Sequence, residues 1–147
     1  MRLYNVAVTS VAIEAPEKWT DNLIAHYELP GVQSRARGVA RGISWPALVH
    51  IALIRELHTR IGCSVRDAVS FAGALLGSPD GMLVASTHLA LAFDRMRFEH
   101  DLRRHLADAL ESAPRPRRGR PRRQGQARGQ GNEKAGRPFW PPRLPSL

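Results

Sequence analysis

The spacing of apolar residues along the chain predicts a protein built mainly from α-helices. In four stretches the apolar residues recur at intervals of three and four, so each stretch would turn one apolar face toward a core. These stretches are 17–27, 45–61, 65–76 and 95–110. The residues before them commonly begin helices, and they are Pro16, Ser44, Ser64 and Asp94. Four helices are therefore expected.

Three further stretches fit short strands. Residues 32–43 run from a valine to an isoleucine and contain two glycines, which favours two strands joined by a turn. Residues 82–93 are apolar around a Ser-Thr-His centre and predict a second hairpin. Residues 3–13 fit the period of a strand and the period of a helix, so the pattern leaves both structures open.

The last predicted helix carries an apolar row on a charged surface. The row consists of Phe98, Leu102, Leu106 and Leu110, which are four residues apart. Such a row can form a homodimer interface, or it can pack on the body of its own chain. The spacing supports both interpretations.

Charge divides the 147-residue chain into two unlike parts. Residues 1–112 carry 12 basic and 12 acidic side chains, whereas residues 113–147 carry ten basic and one acidic. The second part also holds seven of the 11 prolines and five of the 12 glycines, and it is poor in aliphatic residues. A segment of this composition cannot bury enough apolar surface to fold, so we expect a disordered tail. About 110 residues remain for one modest core.

The chain is expected to comprise three segments in a soluble protein. They are 1–77, a hairpin with a C-terminal helix over 78–112, and the tail 113–147. A single cysteine, Cys63, excludes an internal disulfide and a zinc site made of several cysteines. The apolar runs are short and interrupted by His or Arg. We therefore expect a cytoplasmic protein with no membrane partner.

The order of the elements in the first half resembles the MerR-like winged helix-turn-helix. Three places carry the resemblance: residues 13–24 look like the turn and second helix with Trp19 as a core anchor, 35–45 look like the wing, and 48–76 look like the helix pair that follows. The third place contains Leu53-Ile54-Arg55-Glu56-Leu57 and then Gly62-Cys63-Ser64-Val65-Arg66-Asp67-Ala68. The resemblance covers residues 3–76, and it rests on order and spacing.

The resemblance implies a transcriptional regulator that binds double-stranded DNA. The second helix would enter the major groove, where Lys18 and Asn22 are the candidate base readers, since asparagine can pair with adenine. The wing would contact phosphates through its three arginines, Arg35, Arg37 and Arg41. A solvated basic loop is the alternative for this stretch. Two acids on the same helix, Glu17 and Asp21, would repel phosphate.

The tail contains a motif of its own. The run Arg118-Gly119-Arg120-Pro121, flanked by further arginines, resembles the AT-hook. In that peptide an extended backbone places two arginines in the narrow, strongly negative minor groove of A·T-rich DNA. A composition biased toward Arg, Pro and Gly could produce the same string.

No enzyme signature stands out. The six histidines show no ligand spacing, and no nucleophile, phosphate-loop or zinc motif is present. We expect no catalytic residue, metal or cofactor. The alternative to a DNA-binding regulator is an RNA-binding or protein-interaction module tethered by its basic tail.

Overall fold

The computed structural model describes residues 2–33 and 41–113, and residues 1, 34–40 and 114–147 lie outside this description. The described helices are α1 (Val6–Ala12), α2 (Glu17–His26), α3 (Trp45–Glu56), a π-helical segment (Leu57–Ile61), α4 (Val65–Gly77) and α5 (Arg95–Ser112). The strands are β1 (Val32–Gln33), β2 (Gly42–Ile43), β3 (Met82–Ser86) and β4 (Leu89–Ala92), paired β1 with β2 and β3 with β4, both antiparallel. The prediction of a mainly helical fold with small hairpins is confirmed.

Of the two structures that its pattern left open, the N-terminal stretch forms the helix. Tyr4 is extended and exchanges two backbone hydrogen bonds of 2.8 Å with Ile43 of β2. The chain then enters α1, where the Asn5 side chain accepts a 2.8 Å hydrogen bond from the Val8 N–H. The stretch is therefore mainly helical, and a single isolated bridge at Tyr4 ties its start to β2.

Serine caps place the two central helices as predicted. The Ser44 side chain caps α3, and the Ser64 hydroxyl accepts a 3.1 Å hydrogen bond from the Asp67 N–H while donating to the Asp67 carboxylate at 2.7 Å. The expectation of one continuous α-helix over 45–61 is corrected at its end. There the last turn widens into the π-helical segment, and Gly62 ends it with a left-handed φ of 77°.

Helix α3 is the centre of the hydrophobic core. Every residue from Ala47 to Ile54 is buried, and α4 packs along α3 with Ala68, Ala72 and Leu75. Because other elements surround α3 on several sides, almost all of its residues are apolar. An all-round apolar helix of this kind is typical of a core element.

Helix α5 packs against α1 and α3 and adds to the same core. Leu102 and Leu106 are only 5% and 6% exposed. Phe98 is half-buried, and only Leu110 of the predicted row is exposed. The prediction of a homodimer through this row is therefore corrected, because its two middle residues are covered by the protein's own α1 and α3.

The second hairpin presents one face to the core and one outward. Leu83 and Leu91 pack against the core, whereas Met82 and Val84 are exposed. No described helix combines the length and the apolar composition that crossing a bilayer requires.

Candidate nucleic-acid interface

A four-residue turn, residues 13–16, joins α1 to α2. The Ala15 N–H donates a 2.9 Å hydrogen bond to the Ser10 carbonyl, which folds the chain back against the end of α1. Pro16 then begins α2, and its carbonyl accepts hydrogen bonds from the Trp19 and Thr20 N–H groups. The turn is tight because Glu14 adopts a left-handed backbone with φ 51°.

A buried hydrogen bond fixes the two helices to each other. The Ser10 hydroxyl donates to the Thr20 hydroxyl at 2.8 Å, and both residues are buried. Leu23, one turn further along α2, is buried in the core next to this pair of helices. A polar contact inside an apolar interface specifies one register, since a slip would leave both hydroxyls without partners.

The opposite face of α2 is exposed and polar. It consists of Lys18, Asp21, Asn22 and Ala25, spaced as one helical face, and we call it the outer face of α2. His26 follows at the end of the helix, with Nδ1 2.8 Å from the Asn22 carbonyl. The structure thus places both predicted base readers, Lys18 and Asn22, on one exposed surface.

An ion pair connects this face to the first hairpin. Arg41 Nη1 lies 2.7 Å from Asp21 Oδ1 and 3.3 Å from the Asp21 carbonyl. Because the guanidinium neutralises the carboxylate, Asp21 is no longer the repulsive charge that the sequence suggested. The predicted contact of Arg41 with DNA stays a prediction, and the structure adds its contact with α2.

The base of the hairpin is anchored on the first turn of α3. The Ser44 N–H donates to the Gly31 carbonyl at 3.1 Å. Gly31 has a φ of 85°, and a Cβ at this position would collide with the Ser44 hydroxyl. Only glycine therefore fits the start of β1. Residues 34–40, which include the predicted contacts Arg35 and Arg37, connect the strands and lie outside the described residues.

Trp19 occupies a different place from the predicted core anchor. It is half-buried, with the Arg55 guanidinium 5.1 Å from its ring centre and the His58 ring stacked at 6.5 Å. These three side chains lie at the edge of the core and link α2 to the end of α3 and to the π-helical segment. The apolar spacing of α2 predicted burial of Trp19, but it carried no signal for its cationic neighbours.

The tail candidates Arg118, Gly119, Arg120 and Pro121 lie outside the described residues. Within the part of the chain that the structure describes, no three His, Cys, Asp or Glu side chains are grouped so as to hold a metal ion. Comparison of the chain with protein-family models, with curated proteins and with solved structures finds no match.

Proposed function

We propose that the protein binds double-stranded DNA through the outer face of α2 and the β1–β2 hairpin, as a small transcriptional regulator of MerR-like type. The observation that carries the proposal is the Arg41–Asp21 ion pair, which holds the base of an arginine-bearing hairpin against an exposed polar helix. A helix that reads bases needs a rigid support and an adjoining backbone contact.

Three features of the described residues support this proposal. The tight turn and the Ser10–Thr20 hydrogen bond make α1 and α2 a rigid pair. The outer face of α2 offers an amide and an ammonium, and amides can read base edges in the major groove. The element order, with two short helices, a hairpin and two longer helices, is compatible with the order that the family resemblance implies.

The distribution of charge supports an approach to DNA by a body whose net charge is zero. Residues 1–112 carry as many acids as bases. Pairing Asp21 with Arg41 leaves Lys18 on the outer face next to the exposed Glu17, and the sequence between β1 and β2 supplies Arg35 and Arg37. The ten basic residues of 113–147 then supply the sequence-independent attraction to phosphate.

Selection from a random duplex library with the full-length protein tests base reading. We expect an enriched motif that depends on α2, because contacts with base edges discriminate between library members whereas phosphate contacts do not. Asn22→Ala should change the preferred base at one position of that motif, at a cost of about 1–3 kcal/mol for the original base. The absence of any motif, or a motif that Asn22→Ala leaves intact, contradicts the proposal.

Matched double variants test the hairpin. Arg35→Gln/Arg37→Gln should weaken binding to the selected duplex about tenfold or more, since each lost phosphate contact removes a charge-assisted hydrogen bond. The control Arg66→Gln/Arg97→Gln removes the same charge from exposed positions on α4 and α5. Equal losses of affinity in both double variants would show that the hairpin arginines contribute only nonspecific electrostatic attraction. A structured RNA that competes as well as the selected duplex would favour the RNA-binding alternative.

The ion pair offers a separate test of the arrangement. Arg41→Gln leaves the Asp21 carboxylate uncompensated on the outer face, so DNA affinity should fall. If Arg41 acts by neutralising and positioning, Arg41→Gln/Asp21→Asn should recover most of the affinity in a fluorescence anisotropy titration. A double variant as weak as the single one would instead assign Arg41 to a phosphate.

A further inference from the structure

A cleft separate from the outer face of α2 lies where the N-terminal part of α3, the C-terminal part of α4 and α5 meet. Its volume is about 680 Å³, within the range of roughly 300–1,000 Å³ that is typical of small-molecule sites. Apolar side chains form much of its wall, and they are Trp45, Pro46, Val49 and Leu76. Gly31 and Ser44, at the base of the first hairpin, border the cleft.

Two glycines of α4 leave part of the cleft wall without side chains. Gly73 and Gly77 are one helical turn apart and line the same wall, and a Cβ at either position would meet nothing within 4 Å. Glycine inside a helix costs stability relative to alanine. Two of them where larger side chains would fit leave a flat apolar wall opposite Pro46 and Val49.

The α5 wall carries one positive charge in excess. Glu99 is only 15% exposed in its side chain and bonds Arg95 at 2.8 Å and Arg103 at 3.3 Å. The Arg103 guanidinium also lies 5.1 Å from the centre of the Trp45 ring. One carboxylate therefore faces two guanidiniums, and an anion in the cleft would complete the balance.

His50 adds a polar group that lacks a partner. Its side chain lines the cleft and is buried, and no described residue hydrogen-bonds Nε2. Burial lowers the pKa of His50, opposed in part by a hydrogen bond to the Val69 backbone, so the ring is neutral at pH 7. A neutral ring leaves the excess charge of the wall at one.

We propose that this cleft binds a small aromatic monoanion, with its flat body between the α3 and α4 walls and its carboxylate at Arg103. The apolar walls favour a ligand with an apolar body. The single excess charge favours one negative charge, and the open glycine wall favours a flat shape. The site does not depend on the proposed binding of DNA, because its lining residues lie outside the outer face of α2.

Calorimetric titration of the full-length protein with 2-naphthoate and with its neutral analogue 2-naphthamide tests the proposal. We expect 2-naphthoate to bind about tenfold tighter or more, since the carboxylate can form a bidentate ion pair with the Arg103 guanidinium, whereas the neutral amide offers one uncharged acceptor. Arg103→Gln should bring the two affinities close together. Equal affinities for the unaltered protein, or no binding of 2-naphthoate, would overturn the proposal.

A filled cleft provides the structural control. Gly73→Phe places a ring in the open space and should reduce 2-naphthoate affinity by about tenfold or more. Ala74→Phe adds the same ring at the next, exposed position of α4, outside the lining, and should leave the affinity unchanged. Both variants keep the basic residues of 113–147, so attraction of the anion to that segment is common to both. Equal binding by the two variants would place the ligand elsewhere and reject the site.

Discussion

Glu14 shows how a single residue sets the geometry of the candidate interface. It is the one non-glycine residue with a positive φ among those that the structure describes, and it forms the middle of the turn between α1 and α2. The left-handed conformation costs an L-residue roughly 1–2 kcal/mol. The strained residue lies in the turn that sets the direction of α2. At this position the sequence has glutamate, although glycine is the residue that a left-handed backbone prefers.

Replacing Glu14 with glycine should stabilise the protein. Relief of the strain is offset by the greater freedom of glycine in the unfolded chain, so the gain in the free energy of unfolding should be up to about 1 kcal/mol. Glu14→Val should destabilise by about 1 kcal/mol or more, because a β-branched side chain fits this conformation poorly. Glu17→Gly, three residues on in the first turn of α2, is the control and should destabilise in urea unfolding. A loss of stability in Glu14→Gly would show that the carboxylate compensates the strain.

His50 makes stability depend on pH in a defined direction. Burial lowers its pKa below the ordinary value of 6.5, so the unfolded chain takes up a proton at a higher pH than the folded protein does. Stability should therefore fall as the pH drops below about 6.5 and should level off once the pH passes below the folded pKa. Urea unfolding at a series of pH values, with His50→Gln as the non-titrating variant, should show a flatter profile for the variant. A profile that His50→Gln leaves unchanged would contradict the effect of burial.

At the scale of elements, the sequence predicts the features that neighbouring residues determine, such as helix caps and hairpins. Ser64 and Asp67 form their reciprocal cap, and the two hairpins lie within the predicted stretches 32–43 and 82–93. It does not predict which neighbour covers an apolar row, because a row that packs on its own chain has the same spacing as one that packs on a partner. The Arg41–Asp21 pair was likewise invisible, since its members are 20 positions apart and meet only in the folded chain.

Helix α5 should behave as a core element. Leu102→Ala removes a side chain that is 5% exposed and should destabilise by about 2–5 kcal/mol. Leu110→Ala, two turns along the same helix and 39% exposed, is the matched control and should cost less than about 1 kcal/mol. Chemical unfolding of both variants decides between the assignments. Similar small losses in the free energy of unfolding for both variants would favour the interpretation in which the apolar row of α5 is exposed.

At the scale of the whole molecule, charge is divided along the sequence. The balanced residues 1–112 and the strongly basic residues 113–147 predict two separable contributions to nucleic-acid affinity. Base preference should depend on α2, while the salt dependence should follow the basic segment, at about 0.7–0.9 in slope for each phosphate neutralised. Salt dependence alone does not show whether Arg118-Gly119-Arg120-Pro121 enters the minor groove, because a minor-groove anchor and a nonspecific tether both weaken with salt.

An exchange that keeps the charge separates those two roles. Arg118→Lys/Arg120→Lys conserves net charge, but lysine is more strongly hydrated than arginine and costs more to strip of water in a narrow groove. If the run binds the minor groove, the double variant should lose its preference for A·T-rich over G·C-rich duplex in anisotropy titrations. Arg122→Lys/Arg123→Lys, outside the Arg-Gly-Arg-Pro run, is the matched control and should keep that preference. If the unaltered protein and both double variants bind the two duplexes alike, the segment acts as a tether that attracts any nucleic acid by charge.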